Sequence, residues 1–302
     1  MGAGQGLQAL PSPASALLLK TTTAGSEGGK IESYPRRIVC LDLGSSSTLI
    51  RLGLPPVGVI DGAFWEYWVG EPELPDSVVD IGQDLVINLE AVSRLKPDLA
   101  IITSYTESHR AALEKITRVH SIPVFDGKGN PMKVSRQTTL ELGELLGLEA
   151  EVQDYLAGFD RKMEKARELV ARNDFAPVAM VNFMDDRHAR IYGEHSMFQD
   201  VLDFIGLQNA WSGSTNYWGF QTIGLEQLAI AANAFDEMDL IVFEPMVDDV
   251  KRTMKESPLW TNLSFVKQDR FVIFPPVIAF GMLPTAERFL DLLVDYLESR
   301  YT

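Results

Sequence analysis

The sequence predicts an α/β protein of two lobes joined by a single long helix, with a ligand cleft between the lobes. Three observations predict it. β-rich runs alternate with helical stretches in both halves of the chain, an amphipathic helix without proline runs from Glu149 to Arg172 between them, and one aromatic loop cluster falls in each half. Strands separated by helices favour parallel sheets covered by helices. A length of 302 residues suits two domains, at roughly 100–200 residues each.

Residues 1–35 are rich in Gly, Ser, Thr and Ala and read as a disordered leader or signal remnant. Their one apolar stretch, Ala14-Ser15-Ala16-Leu17-Leu18-Leu19, is short for a signal core and has no basic residue before it, so no intact export signal is expected. The first lobe is expected over 36–148. Arg37-Ile38-Val39-Cys40-Leu41 makes its first strand, and Gly44-Ser45-Ser46-Ser47 opens a short helix that Gly53 ends. Later strands are expected at Val57-Gly58-Val59-Ile60, Asp98-Leu99-Ala100-Ile101-Ile102 and Ile122-Pro123-Val124-Phe125.

The bridging helix is expected over 149–173. Val152, Tyr155, Leu156, Phe159, Met163, Ala166, Leu169 and Val170 form its apolar stripe. At about 1.5 Å per residue it reaches roughly 36 Å, enough to cross between two lobes. The second lobe, 174–302, repeats the alternation with strands at Val178-Ala179-Met180-Val181, Asp239-Leu240-Ile241-Val242-Phe243 and Arg270-Phe271-Val272-Ile273-Phe274, and closes on a helix from Thr285 to Ser299.

Composition narrows the function. With 27 basic and 42 acidic side chains the formal charge is −15, which argues against nucleic acid and anionic membranes as partners. Lone Cys40 excludes an internal disulfide and thiolate metal clusters. No apolar run approaches a membrane span. Catalysis has little support: neither a Gly-x-Ser-x-Gly elbow nor a phosphate-binding Gly-x-x-x-x-Gly-Lys-Ser/Thr loop is present. Asp126-Gly127-Lys128-Gly129-Asn130 has turn composition. Ser45, Ser46 and Ser47 lie where hydroxyls cap a helix or bind an anion. His109, His120, His188 and His195 lack metal-ligand spacing, although His188 and His195 flank a turn and together keep a histidine-based metal-ion site open as an alternative.

Four of the five tryptophans lie in two loop-like segments. One is Phe64-Trp65-Glu66-Tyr67-Trp68; the other runs from Trp211 to Phe220. Aromatic loops on a rigid scaffold commonly wall ligand pockets, and here one comes from each half. An internal echo accompanies them. Ile87-Asn88-Leu89-Glu90-Ala91-Val92 precedes one Asp-Leu strand, and Ile223-Gly224-Leu225-Glu226-Gln227-Leu228 precedes another. Glu90 and Glu226 each fall near a helix start, where the helix dipole favours a carboxylate. They read either as first-turn caps or as a matched acidic pair facing two basic sockets.

The same segments carry a family resemblance. The run from Trp68 to Val78 (Trp-Val-Gly-Glu-Pro-Glu-Leu-Pro-Asp-Ser-Val) resembles the first-lobe segment of the bacterial periplasmic ferric hydroxamate-binding proteins. The run from Asn209 to Gly219 (Asn-Ala-Trp-Ser-Gly-Ser-Thr-Asn-Tyr-Trp-Gly) resembles their second-lobe ligand loop. Arg37-Ile38-Val39, Leu95-Lys96-Pro97-Asp98, Asp186-Arg187-His188, Ser196-Met197-Phe198-Gln199 and Pro258-Leu259-Trp260 match in the same order.

The resemblance implies a non-catalytic periplasmic receptor, monomeric and without nucleic-acid partners. It implies capture of an iron(III)–siderophore and its delivery to an inner-membrane ABC permease and its ATPase. A hydroxamate siderophore supplies every iron ligand itself, so no protein cofactor is expected. Carried over residue by residue, Trp68 and Trp218 pack on the ligand beside Trp65, Tyr105 donates its hydroxyl, and Asn216 orients or bonds. Glu90 and Glu226 dock on permease arginines. Two departures bear on the ligand. Asp84 falls at or beside the family's first-lobe arginine, with Arg187 as the candidate replacement donor, and Phe280 is the nearest ring to a missing bulky aromatic. An acidic cleft then favours neutral or cationic ferric hydroxamates; the alternative is another metal chelate, namely a corrinoid, haem, or a catecholate or citrate siderophore.

Overall fold

Ile38-Val39-Cys40 is apolar and buried throughout, the signature of an inner parallel strand, and it forms β1 at the centre of the first sheet. The structure is a computed structural model that describes residues 34–83, 86–124, 130–235, 237–246 and 248–301. The leader expected over 1–35 and the turn over 126–130 therefore lie almost wholly outside the described residues, as does Asp84.

The first lobe runs β1 (Ile38–Cys40), α1 (Leu43–Arg51), β2 (Gly58–Val59), α2 (Trp65–Trp68), β3 (Val79–Asp80), a small hairpin of β4 (Gly82–Gln83) and β5 (Val86–Ile87), α3 (Leu89–Leu95), β6 (Leu99–Thr103), α4 (Arg110–Leu113) and β7 (Arg118–Ile122). The main sheet has the order β3-β2-β1-β6-β7 and is parallel throughout. Successive strands step outward from β1 on one side and resume on the other at β6. Ligand crevices in open α/β sheets form at such a switch, beyond the carboxyl ends of the strands. The last strand was expected at 122–125 but pairs over Arg118–Ile122, in register with β6. Its edge position leaves most of it partly exposed, which weakens its apolar signal.

Two helices then join the lobes. Asn130 caps α5 (Pro131–Leu146), its side chain accepting from the Lys133 N–H, and Pro131 takes the first helical position. The buried face of α5 carries Ser135, Thr138 and Thr139; Ser135 and Thr139 donate their hydroxyls to carbonyls one turn back, so the helix shows little apolar periodicity. Bridging helix α6 (Glu149–Ala171) buries Val152, Leu156, Phe159, Met163 and Ala166, within the expected stripe.

The second lobe contains β8 (Val178–Phe183), β9 (His188–Tyr192), α7 (Met197–Ile205), β10 (Phe220–Gly224), α8 (Leu225–Ala232), β11 (Asp239–Phe243), α9 (Asp248–Glu256), α10 (Pro258–Thr261), α11 (Ser264–Lys267), β12 (Phe271–Phe274) and α12 (Leu283–Tyr301). Its sheet, ordered β10-β9-β8-β11-β12, is mixed: β8, β10, β11 and β12 run in one direction and β9 runs against them. The connection from β8 to β9 is a tight turn, too short for a helical crossover, so the pair can only form a hairpin. One apolar core continues from Ile38 and Leu99 through Leu142, Phe159 and Met163 to Phe198, Phe243 and Phe289. The lobes and the bridging helix thus share one core, beside which further apolar clusters lie.

Candidate functional site

A cleft of about 610 Å³ opens where the two sheets present their carboxyl ends to each other. Leu43 enters it just beyond β1, Asn182, Phe183 and Met184 from the end of β8, Glu244 and Pro245 from beyond β11, and Val277 to Phe280 from beyond β12. Trp68 and Asp61 complete the first-lobe wall; Arg190 and Tyr192, on β9, complete the second.

Of the expected ligand residues, Trp68 and Phe280 line this cavity directly. Tyr105 and Trp218 meet the Phe280 ring at its rim: the centroid distances are 6.5 Å from Tyr105 to Phe280, 5.6 Å from Trp218 to Phe280 and 5.4 Å from Tyr105 to Trp218. Tyr105 comes from the first lobe and Trp218 from the second, so the aromatic cluster spans the gap. A Thr103–Thr106 turn presents Tyr105 beyond β6, the Thr106 hydroxyl accepting from the Thr103 N–H at 3.0 Å. Burial, and next the neighbouring Tyr217, push the Tyr105 phenol up to about 12, so it remains a neutral donor.

Asn216 shapes its own loop. Its Oδ1 accepts from the backbone N–H of Trp218 at 2.8 Å and of Phe220 at 3.4 Å, which fixes where the Trp218 ring points. Gly219 closes that turn at φ +76, where a Cβ would collide with the His195–Ser196 backbone.

Three expectations are corrected. Trp65 is only 2% exposed, packs with Val59 and Val69, and donates its indole N–H to the Pro72 carbonyl at 2.8 Å; no face of it remains for a ligand. Arg187 sits exposed on the β8–β9 turn, where its backbone N–H donates to Asp185, and it does not line the cleft. The serines at α1 do not cap: Asp42 does, accepting from the Ser45 N–H at 2.7 Å, while Ser46 and Ser47 donate back to the Asp42 and Gly44 carbonyls. Trp211, the other tryptophan of the second aromatic loop, packs on the second-lobe core.

The basic group at the cleft is Arg190. Its guanidinium lies 4.9 Å from the Phe220 ring, and its Nε is buried with no hydrogen-bond partner. A buried charged donor without an acceptor is costly and uncommon. The neighbouring polar groups satisfy one another instead: the Tyr192 hydroxyl donates to Asn182 Oδ1 at 2.7 Å, and the Asn182 amide donates to the Phe243 carbonyl at 3.0 Å. Glu244 is held by Lys251 at 2.7 Å. Burial pushes its carboxyl up, but the hydrogen bonds from Lys251 and the Met246 N–H outweigh that and leave it below the usual range. The sequence signal for Arg190 is the two-residue alternation of β9, which sets it on the same face as His188 and Tyr192.

Elsewhere, Glu90 and Glu226 are exposed in the first turns of α3 and α8. The caps come from Asn88, which accepts from the Ala91 N–H, and Gln227, which accepts from the Gly224 N–H. Glu90 pairs with Arg94 at 3.0 Å. The His188 ring faces Asp185 at 3.0 Å, and no group of three or more His, Cys, Asp or Glu is gathered where it could hold a metal ion among the described residues.

Two α/β lobes on a bridging helix, with an aromatic cleft at the facing strand ends, define the helix-bridged class of solute-binding proteins. The chain belongs to the periplasmic binding protein family, whose model it matches over residues 38–278. It is 30% identical over 259 residues to the iron(3+)-hydroxamate-binding protein FhuD of Escherichia coli, covering 86% of each chain. Among solved structures, the Fe3+–Desferal-bound siderophore-binding protein FhuD of Vibrio cholerae superposes with a TM-score of 0.79 at 25% identity, covering 86% of this chain and 97% of that one. Staphylococcus aureus SirA complexed with staphyloferrin B superposes with a TM-score of 0.63 at 25% identity, covering 89% and 94% of the two chains.

Proposed function

We propose that the protein captures an iron(III)–siderophore of hydroxamate type in the periplasm and hands it to an inner-membrane ABC permease driven by its ATPase. It changes no bond in its cargo, acts as a monomer and needs no cofactor, because the siderophore supplies the iron's ligands. The observation that carries this reading is Arg190, whose buried Nε lacks an acceptor, in an aromatic cleft between the lobes. A hydroxamate oxygen is a charged acceptor, and a guanidinium is a planar donor fork suited to it. Trp68, Trp218 and Phe280 offer apolar faces to the organic shell, and Tyr105 adds a neutral hydroxyl from the first lobe. Arg190 takes the donor role assigned on sequence to Arg187, and it acts from the lobe opposite Asp84. Glu90 and Glu226, freed from capping by Asn88 and Gln227, present one carboxylate per lobe to permease arginines.

The test is tryptophan fluorescence against a panel of iron-loaded ligands: the desferal complex, a neutral hydroxamate, a catecholate, a citrate-type anion and haem. Quenching by the hydroxamates at micromolar concentration or below, and weaker or no response to the anions, is expected. No response to any hydroxamate would remove the proposal.

A further inference from the structure

We infer that Arg288 is a positioning residue that holds the two walls of the cleft in register; the inference rests on the cleft being the binding site. Arg288 is half-buried on α12 and does not itself line the cavity. Its Nε donates to the Pro276 carbonyl at 3.1 Å, and its Nη1 donates to the Val69 carbonyl. Val69 follows Trp68 on the first-lobe wall, and Pro276 begins the segment that ends at Phe280 on the second. One planar group thus ties a backbone oxygen beside each wall. Behind the cleft, Trp68, Ile278 and Arg288 surround the same small void, so both walls and the arginine meet there.

The first lobe is shaped to receive the guanidinium. Gly70 stands at φ +66, and a Cβ there would collide with Arg288; the position requires glycine both for its backbone conformation and for the close approach. Burial lowers the Arg288 pKa, with Glu66 and Glu71 acting the other way, and the group remains a cation. A planar fork can serve two carbonyls in fixed relative positions, which a single ammonium on a flexible stem does not reproduce. Nearby Arg51 offers a contrast: it pairs with two side chains, Glu287 on α12 at 3.4 Å and Glu71 at 4.0 Å, and not with the two backbone carbonyls that Arg288 holds.

The experiment places spin labels at Glu66→Cys and Pro275→Cys, one beside each wall, Cys40 being buried and so unlabelled. The ligand-free distance distribution is measured alongside the affinity for the iron–desferal complex. Arg288→Met is expected to broaden the distribution and to weaken binding by about tenfold or more, the equivalent of one charged hydrogen bond. Arg288→Lys should stay closer to Arg288→Met than to the native protein, and Arg51→Met should leave both readouts unchanged. Gly70→Ala, which keeps the arginine but displaces it, should reproduce Arg288→Met should that variant fold poorly. Equal effects of Arg288→Met and Arg51→Met, or weaker binding with an unchanged distribution, would overturn the inference. A native protein that binds no siderophore defeats the functional proposal alone, because the ligand-free distances still decide the role of Arg288.

Discussion

Replacing Arg190 by methionine separates a ligand donor from a structural residue. In the ligand-free protein the buried Nε of Arg190 has no acceptor, a state that costs about 1–3 kcal/mol. Its guanidinium stands 4.9 Å from the Phe220 ring, a contact that contributes about 0.5–1 kcal/mol and that a methionine sulfur partly replaces. The two effects oppose each other, so Arg190→Met should hold or raise the melting temperature of the free protein. Binding should respond in the opposite direction. A charge-assisted hydrogen bond to a hydroxamate oxygen is worth about 1.5–3 kcal/mol, so Kd should rise by about 10- to 150-fold. The assay is a fluorescence titration with the iron–desferal complex beside thermal unfolding without ligand. A parallel loss of stability and affinity, or an unchanged Kd, would refute the reasoning.

Further outcomes follow from the same geometry. Trp218→Ala should weaken ligand binding by roughly tenfold with little loss of stability, since the ring is partly exposed and packs on Tyr105 and Phe280; titration and melting of the same sample check both. Trp65→Ala should do the reverse, costing about 3–5 kcal/mol of stability by opening a core cavity, read by urea unfolding. Glu90→Ala with Glu226→Ala should abolish uptake in cells while leaving Kd intact, and a raised Kd would make the pair structural. Asp200 carries a carboxyl that burial raises to about 6, with the Met132 N–H acting against it. A carboxyl raised above its unfolded value contributes stability that is complete below that value and lost as pH rises through about 6. Asp200→Asn keeps the acceptor for Met132 and should therefore gain about 1–2 kcal/mol at pH 7, discounted for partial exposure, and converge on the native protein near pH 4.

The parts of the fold legible in the sequence were those with strong periodicity. β1, β6, β8 and β11 are buried on both faces and read as unbroken apolar runs, and α6 shows its stripe because one face is sunk in a shared core. β9 is harder to read: its alternation of His188 and Arg190 with buried Ala189 and Ile191 spans only five residues, and the tight turn from β8 leaves no helix before it. Arg187 and Arg190 stand three residues apart, one on the turn and the other on the strand, and only the strand residue lines the cleft. Trp65 and Trp68 share one helical turn and one composition. Packing against Val59 and Val69 and the hydrogen bond from the Trp65 indole to Pro72 put Trp65 in the core, whereas Trp68 lines the cleft.

The net charge of −15 acts over the whole molecule, whereas a bound ligand meets the local charges of the cleft. Asp61, Glu244 and Arg190 line the cavity together, and Lys251 holds Glu244 at 2.7 Å. Among the described residues at the cavity, two carboxylates stand beside Arg190 and the Lys251 that holds Glu244. At short range the ligand meets a guanidinium and aromatic faces; at long range it meets a negative field, screened beyond about 8 Å at physiological salt. Discrimination against polyanionic chelates should therefore appear in the association rate and fade as salt rises, whereas selection for hydroxamate oxygens should appear in the dissociation rate and persist. Stopped-flow quenching at two ionic strengths separates the two; a salt-dependent dissociation rate for the desferal complex would place the selectivity in the field rather than in Arg190.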